Sequence, residues 1–178
     1  MGLFHRRKPK LRSYLDEAVY GANDGIITTF AVISGATGAT LGNEAIIILG
    51  VANLVADGFS MGTSSYLSIQ TEKDMKKHSW LLGRRGMDAL RRSFATFIAF
   101  LLAGILPLLP FFFLHTDGEE FMLSAIAAAG AFFLVGGMRS IVTKRGFIVS
   151  GLEMLLVGGI AAALAYGTGY FVHGIIST

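Results

Sequence analysis

Apolar residues gather along this chain into five long runs, and polar residues collect between them. The runs cover about 19–41, 45–69, 93–114, 121–138 and 147–172. Each reaches or nearly reaches the ~20 residues needed to cross ~30 Å of hydrocarbon. Backbone polar groups find no water inside a bilayer, so runs of this length are expected as helices. The pattern predicts an all-α integral membrane protein: five transmembrane helices in a single domain over residues 1–178. Gly42 and Asn43 predict a short turn after the first run, and His115 to Glu120 a short acidic loop after the third. Pro107 and Pro110 should bend the third run or end it early. Pro9 can open a short amphipathic helix through Leu11, Tyr14, Leu15 and Ala18, ahead of the first run. Residues 70–92 read as a short, basic, partly helical loop.

The positive charges orient these runs. Arg6, Arg7, Lys8, Lys10 and Arg12 precede the first run. Lys73, Lys76, Lys77, Arg84, Arg85, Arg91 and Arg92 lie between the second and third, and Arg139, Lys144 and Arg145 between the fourth and fifth. These account for all 15 Lys and Arg residues, and alternate connections carry none. Cytoplasmic loops hold the Lys/Arg excess, so the N-terminus and the 70–92 loop are expected in the cytoplasm and the C-terminus outside or in a lumen.

Composition narrows the function classes. Charged residues make up 15% of the chain, against about 25% for a soluble domain. The net charge of +3 therefore points to anionic lipid headgroups rather than to nucleic acid. The absence of cysteine excludes disulfides, thiolate metal sites and a Cys nucleophile. The first apolar run is too long for a signal-peptide core and is read as a retained helix. Compact loops and no visible targeting segment favour a prokaryotic plasma membrane, with a vacuolar membrane as the alternative.

Three carboxylates fall inside the runs: Asp24, Asp57 and Glu153. An acidic residue at a helix centre costs ~2.5–3.5 kcal/mol on insertion scales, so an intramembrane acid is a functional candidate by default. Asp24 lies roughly 8 Å into the first run from the inner side, at 1.5 Å per residue. Asp57 is expected nearer the bilayer middle. Asn53, Asp57 and Met61 are spaced four apart, so amide, carboxylate and thioether share one helix face. Packing of the first two helices would bring Asp24 and Met61 to similar depth. Oxygen donors with a thioether suit Fe²⁺ or Mn²⁺ better than Mg²⁺ or Ca²⁺. Each residue also has a plainer reading. Asp24 and Asp57 could bond a neighbouring helix, and Met61 could fill core space. Glu153 could pair with Arg139 or Lys144. Asp16 and Glu17, near the inner surface, could be solvated caps or an entrance that attracts cations.

Residues 19–36, VYGANDGIITTFAVISGA, resemble the first span of the vacuolar iron transporter (VIT) family, and residues 57–68, DGFSMGTSSYLS, resemble its second. The pair of prolines at 107 and 110 enclosing two leucines also matches. The resemblance implies a homodimer that exports Fe²⁺, often Mn²⁺ too, in exchange for protons, with the path along the subunit interface and no resident cofactor. It places the family's membrane aspartate on Asp24, its pore methionine on Met61 and its acidic entrance on Asp16 and Glu17. A family carboxylate falls on Asn53, where Asp57 one turn on could compensate. The chain departs from well-known members in its 70–92 loop, too short for their cytoplasmic metal-collecting domain; Glu72 there could still touch an ion. The rival classes are a passive metal channel, a scaffold membrane protein and an intramembrane aspartyl protease. The protease signature is missing, so no enzyme is expected.

Overall fold

The computed structural model describes residues 10–75, 82–113, 119–143 and 145–177, with side chains over 14–71, 89–113, 119–140 and 145–177. Its elements are α1 (Lys10–Gly38), α2 (Asn43–Met75), α3 (Leu82–Gly104), a 3₁₀ turn (Leu106–Leu108), α4 (Leu109–Phe113), α5 (Glu119–Thr143) and α6 (Phe147–Ile176). The described residues contain no strand. The five predicted runs correspond in order to α1, α2, α3 with α4, α5 and α6.

Four of these segments are long and apolar enough to cross a membrane: Asn43–Thr71, Ala89–Phe113, Glu119–Ser140 and Phe147–Ile176. α1 has the length, at 29 residues, but Asn23, Asp24, Thr28 and Thr29 dilute its apolar run. Its place in the bundle explains why it can be more polar. α1 packs against α2, α3, α5 and α6, so its neighbours shield much of it from lipid. Ile26, Phe30 and Ile33 of α1 form the core with Leu54, Phe100, Phe132 and Met154. Phe30 stacks on Phe121 at 6.2 Å between ring centroids and meets Phe132 edge-on at 6.5 Å.

Close backbone contact locks α1 in place. A Cβ at Gly25 would collide with the carbonyl oxygen of Phe100, and one at Gly38 with that of Tyr166. Small residues let transmembrane helices approach where no hydrophobic force joins them.

The prolines act as their chemistry requires. Pro107 and Pro110 cannot donate to residues 103 and 106, so α3 stops at Gly104 and the chain continues as a 3₁₀ turn and the five-residue α4. The buried carbonyl of Pro107 is satisfied from α5, where the Ser124 hydroxyl donates to it at 2.6 Å.

Three sequence expectations change in detail. The short amphipathic helix expected from Pro9 is not separate: from Lys10 onward its residues are the start of α1. The α1–α2 turn takes its left-handed residue at Thr40, φ 55°, rather than at Gly42. There the Leu41 N–H bonds the Ala36 carbonyl at 3.0 Å, and Thr40 Oγ1 meets His173 Nε2 of α6 at 3.1 Å. Of the acidic loop expected at His115 to Glu120, residues 115–118 lie outside the described residues, and Glu119 and Glu120 are the first turn of α5.

Candidate functional site

α1 and α2 run antiparallel and face each other with their polar stripes. Glu17 and Asp24, seven apart, share a stripe of α1; Asn53, Asp57, Met61 and Ser65, four apart, share one of α2. The inner ends meet where the Ser65 hydroxyl donates to Glu17 Oε2 at 3.3 Å. Further along, the charge of Asp57 reaches Asp24.

The level of Asp57 differs from the expectation. Gly25 packs on the Phe100 backbone and Gly58 on the Phe97 and Phe100 rings. Both Asp-Gly pairs thus flank the same stretch of α3, and Asp57 stands near the level of Asp24 rather than deeper. Met61 lies one turn to the inner side, partly buried against the core. Asn53 lies one turn to the outer side, with its Nδ2 buried and unpartnered.

Among the described residues, neither Asp24 nor Asp57 has a side-chain hydrogen-bond or ion-pair partner. The hydroxyl of Thr28, one turn along, donates at 3.0 Å to the Asp24 backbone carbonyl, not to its carboxylate. Both carboxylates are half-buried, and two like charges near each other in a partly desolvated site repel. A cation or protons would relieve that repulsion.

The two entrance candidates behave differently. Glu17 is committed: Arg92 Nη2 lies 2.7 Å from its Oε1, the Ser65 hydroxyl donates to its Oε2 at 3.3 Å, and the Thr96 hydroxyl, 3.3 Å from the same oxygen, shares its one proton with the Arg92 carbonyl at 3.2 Å. Asp16 is exposed. It lines a cavity of about 390 Å³ with Tyr20, Asn23, Val135 and Arg139, between α1 and α5. Asn23 Oδ1 is buried there without a partner.

Glu153 does not join the site. It pairs with Arg145 at 2.9 Å, both groups well exposed; Lys144, one of the two partners considered from the sequence, lies outside the described residues. Arg145, at the foot of α6, reaches it across two helical turns. The side chain of Glu72 lies outside the described residues. Sequence reasoning missed Glu120, which is 2% exposed and accepts from Asn43 Nδ2 at 3.1 Å. A carboxylate at a loop edge reads as solvated, and only packing of the α1–α2 turn over α5 buries it.

Among the described residues, no three His, Cys, Asp or Glu side chains come together as a metal cage. One chain offers two carboxylates with a thioether one turn away.

Comparison with known proteins places this arrangement. The sequence model of the VIT family matches residues 15–81 and 81–170. Vacuolar iron transporter homolog 3 of Arabidopsis thaliana is 31% identical over 168 residues, covering 89% of this chain and 82% of that protein. Vacuolar iron transporter 1 of Eucalyptus grandis is 24% identical over 207 residues, covering 85% and 83%. The vacuolar iron transporter of Plasmodium falciparum is 24% identical over 228 residues, covering 92% and 84%.

Proposed function

The chain belongs to the VIT family, and on that premise we propose that it is a homodimeric, proton-coupled antiporter moving Fe²⁺ or Mn²⁺ out of the cytosol. The observation that carries this reading is the Asp24–Asp57 pair: two carboxylates on neighbouring helices, each followed by a glycine packed on the same stretch of α3, with no ion-pair partner among the described residues. A divalent cation neutralises such a pair, and protons replace it when the metal leaves. Alternation between those two states is the physical basis of antiport. Met61 adds a soft donor that favours first-row transition metals over Mg²⁺ and Ca²⁺.

First-row divalent ions take more ligands than two carboxylates and a thioether supply. In this reading a second copy completes the shell, carboxylates in excess of the two that balance the ion keep their protons, and the path runs between the subunits. Asp16 draws cations to the inner mouth, and the basic loops hold that mouth on the cytosolic side.

The test is Mn²⁺ and Fe²⁺ uptake into proteoliposomes loaded with a pH-sensitive dye, for the wild type and Asp24→Asn. Metal flux with opposite proton flux, both lost in the folded variant, is expected. Metal flux without proton flux would make the protein a passive channel. No flux of either metal from folded protein would leave a scaffold.

A further inference from the structure

Glu17 occupies the position where an acidic entrance would attract metal, yet its charge is already balanced by Arg92. We propose that Arg92 is a built-in competitor cation, which holds Glu17 until an incoming divalent metal displaces it and so sets how much cytosolic metal is needed to load the site. The inference rests on the transporter reading and adds a residue that sets its affinity.

Four groups from three helices meet at this point. Glu17 comes from α1, Ser65 from α2, and Arg92 and Thr96 from α3. Ser93 extends the set, its hydroxyl 3.4 Å from that of Ser65. Both carboxylate oxygens are thereby engaged, one by a charged donor and one by the Ser65 hydroxyl, with Thr96 dividing its proton between Glu17 and the Arg92 carbonyl. A metal approaching Asp24 from the inner side passes this stripe, because Glu17 is two turns before Asp24 on the same face. It can use Glu17 only by taking the place of the guanidinium.

The pair is built to be exchanged. It is held through Arg92 Nη2, while Arg92 Nε is buried without a partner. The side chains of Arg92 and Glu17 are 30% and 19% exposed, so water and ions reach the contact. A purely structural ion pair would be expected to satisfy its buried donors. The long Arg side chain can swing toward the inner surface without moving α3. The three hydroxyls of Ser65, Ser93 and Thr96 would remain as oxygen ligands or as a polar lining.

Equilibrium Mn²⁺ binding to the purified full-length chain, read from the electron paramagnetic resonance signal of free Mn²⁺, tests this directly. Removal of a competitor should tighten binding: about tenfold for Arg92→Gln, and less, about threefold, for Arg92→Lys, which keeps a charge but loses the planar fork. In proteoliposomes the half-saturating Mn²⁺ concentration should fall in the same order. Glu17→Gln should bind more weakly than wild type, and adding Arg92→Gln to it should change nothing further. A structural role predicts the opposite, namely weaker binding and a lower melting midpoint in both Arg92 variants. Flat or falling affinity along the series from wild type through Lys to Gln overturns the proposal. If Arg92→Gln does not fold, unchanged or weaker binding by Arg92→Lys overturns it alone. A folded wild type with no saturable Mn²⁺ binding removes the transporter reading and this inference with it, whereas saturable binding with a flat series removes only the inference.

Discussion

Asp57 stands in the second helix as Asp24 stands in the first, each followed by a glycine that packs against α3 near Phe100. If both carboxylates hold the ion, Asp57→Asn should cut Mn²⁺ transport at least about tenfold, since an amide keeps an oxygen ligand but loses the charge that binds metal and proton. Retention of wild-type rates would leave Asp24 as the working acid. Met61→Leu conserves volume and should alter stability by less than ~1.5 kcal/mol. Loss of the soft donor should nonetheless let Mg²⁺ or Ca²⁺ inhibit Mn²⁺ uptake more strongly, and an unchanged inhibition profile would take Met61 out of the site. These residues were legible in the sequence because a charge inside an apolar run is costly and so conspicuous. The state of Glu17 was not. Its partner Arg92 is 75 positions away, and spacing on one helix says nothing about a contact between α1 and α3. Pairing of Glu153 with a basic neighbour is legible from the cluster of positive residues before the last run, but only the geometry at the foot of α6 picks out Arg145.

At the scale of elements, runs of apolar residues located all five long helices, and the two prolines located the break after Gly104. The internal order was harder to see. Its determinants are backbone contacts, and side-chain patterns do not report them. Gly25 is the sharpest case, because a methyl group there would meet the Phe100 carbonyl, which cannot rotate away as a side chain would. Gly25→Ala should therefore destabilise the bundle by ~1–3 kcal/mol, as overpacking does, seen as a lower melting midpoint in detergent. Gly42→Ala is the matched control, since nothing lies within 4 Å of the added atom. Equal melting of the two variants would mean that α1 and α3 can separate slightly at no cost. α1, the one long helix among the described residues without a stretch apolar enough to cross a membrane by itself, is also packed against four other long helices. Low hydropathy in α1 reflects a shielded position and the polar stripe of the site.

The whole molecule leaves part of its polar surface uncovered. Ser60 and Ser64 of α2 lie beside the Asp57–Met61 stripe and are exposed, as are Asp16 and Tyr20 of α1. Hydroxyls and a carboxylate facing lipid are unfavourable, whereas the same groups facing a second copy across a hydrated path are not. α6 makes the contrast: most of its outward residues, Leu156 at 65% and Leu164 at 67% exposed among them, are apolar and suit lipid. The exposed hydroxyls of α2 adjoin the carboxylate pair, in a surface whose other exposed α2 residues, Val55, Phe59 and Leu67 among them, include large apolar groups. Because the chain contains no cysteine, one introduced thiol is the only thiol present. Ser60→Cys or Ser64→Cys in membranes should form a cross-linked dimer under mild oxidation or with a short bis-maleimide, since a disulfide needs Cα atoms within about 7 Å. Leu156→Cys should stay monomeric under the same conditions. Divalent metal should change the cross-linking rate of the α2 variants, because metal and thiol would occupy the same cleft. Efficient cross-linking through α6 and none through α2 would put the subunit contact on the other side of the bundle. Each chain's carboxylate pair would then have to bind its ion alone, with water completing the shell.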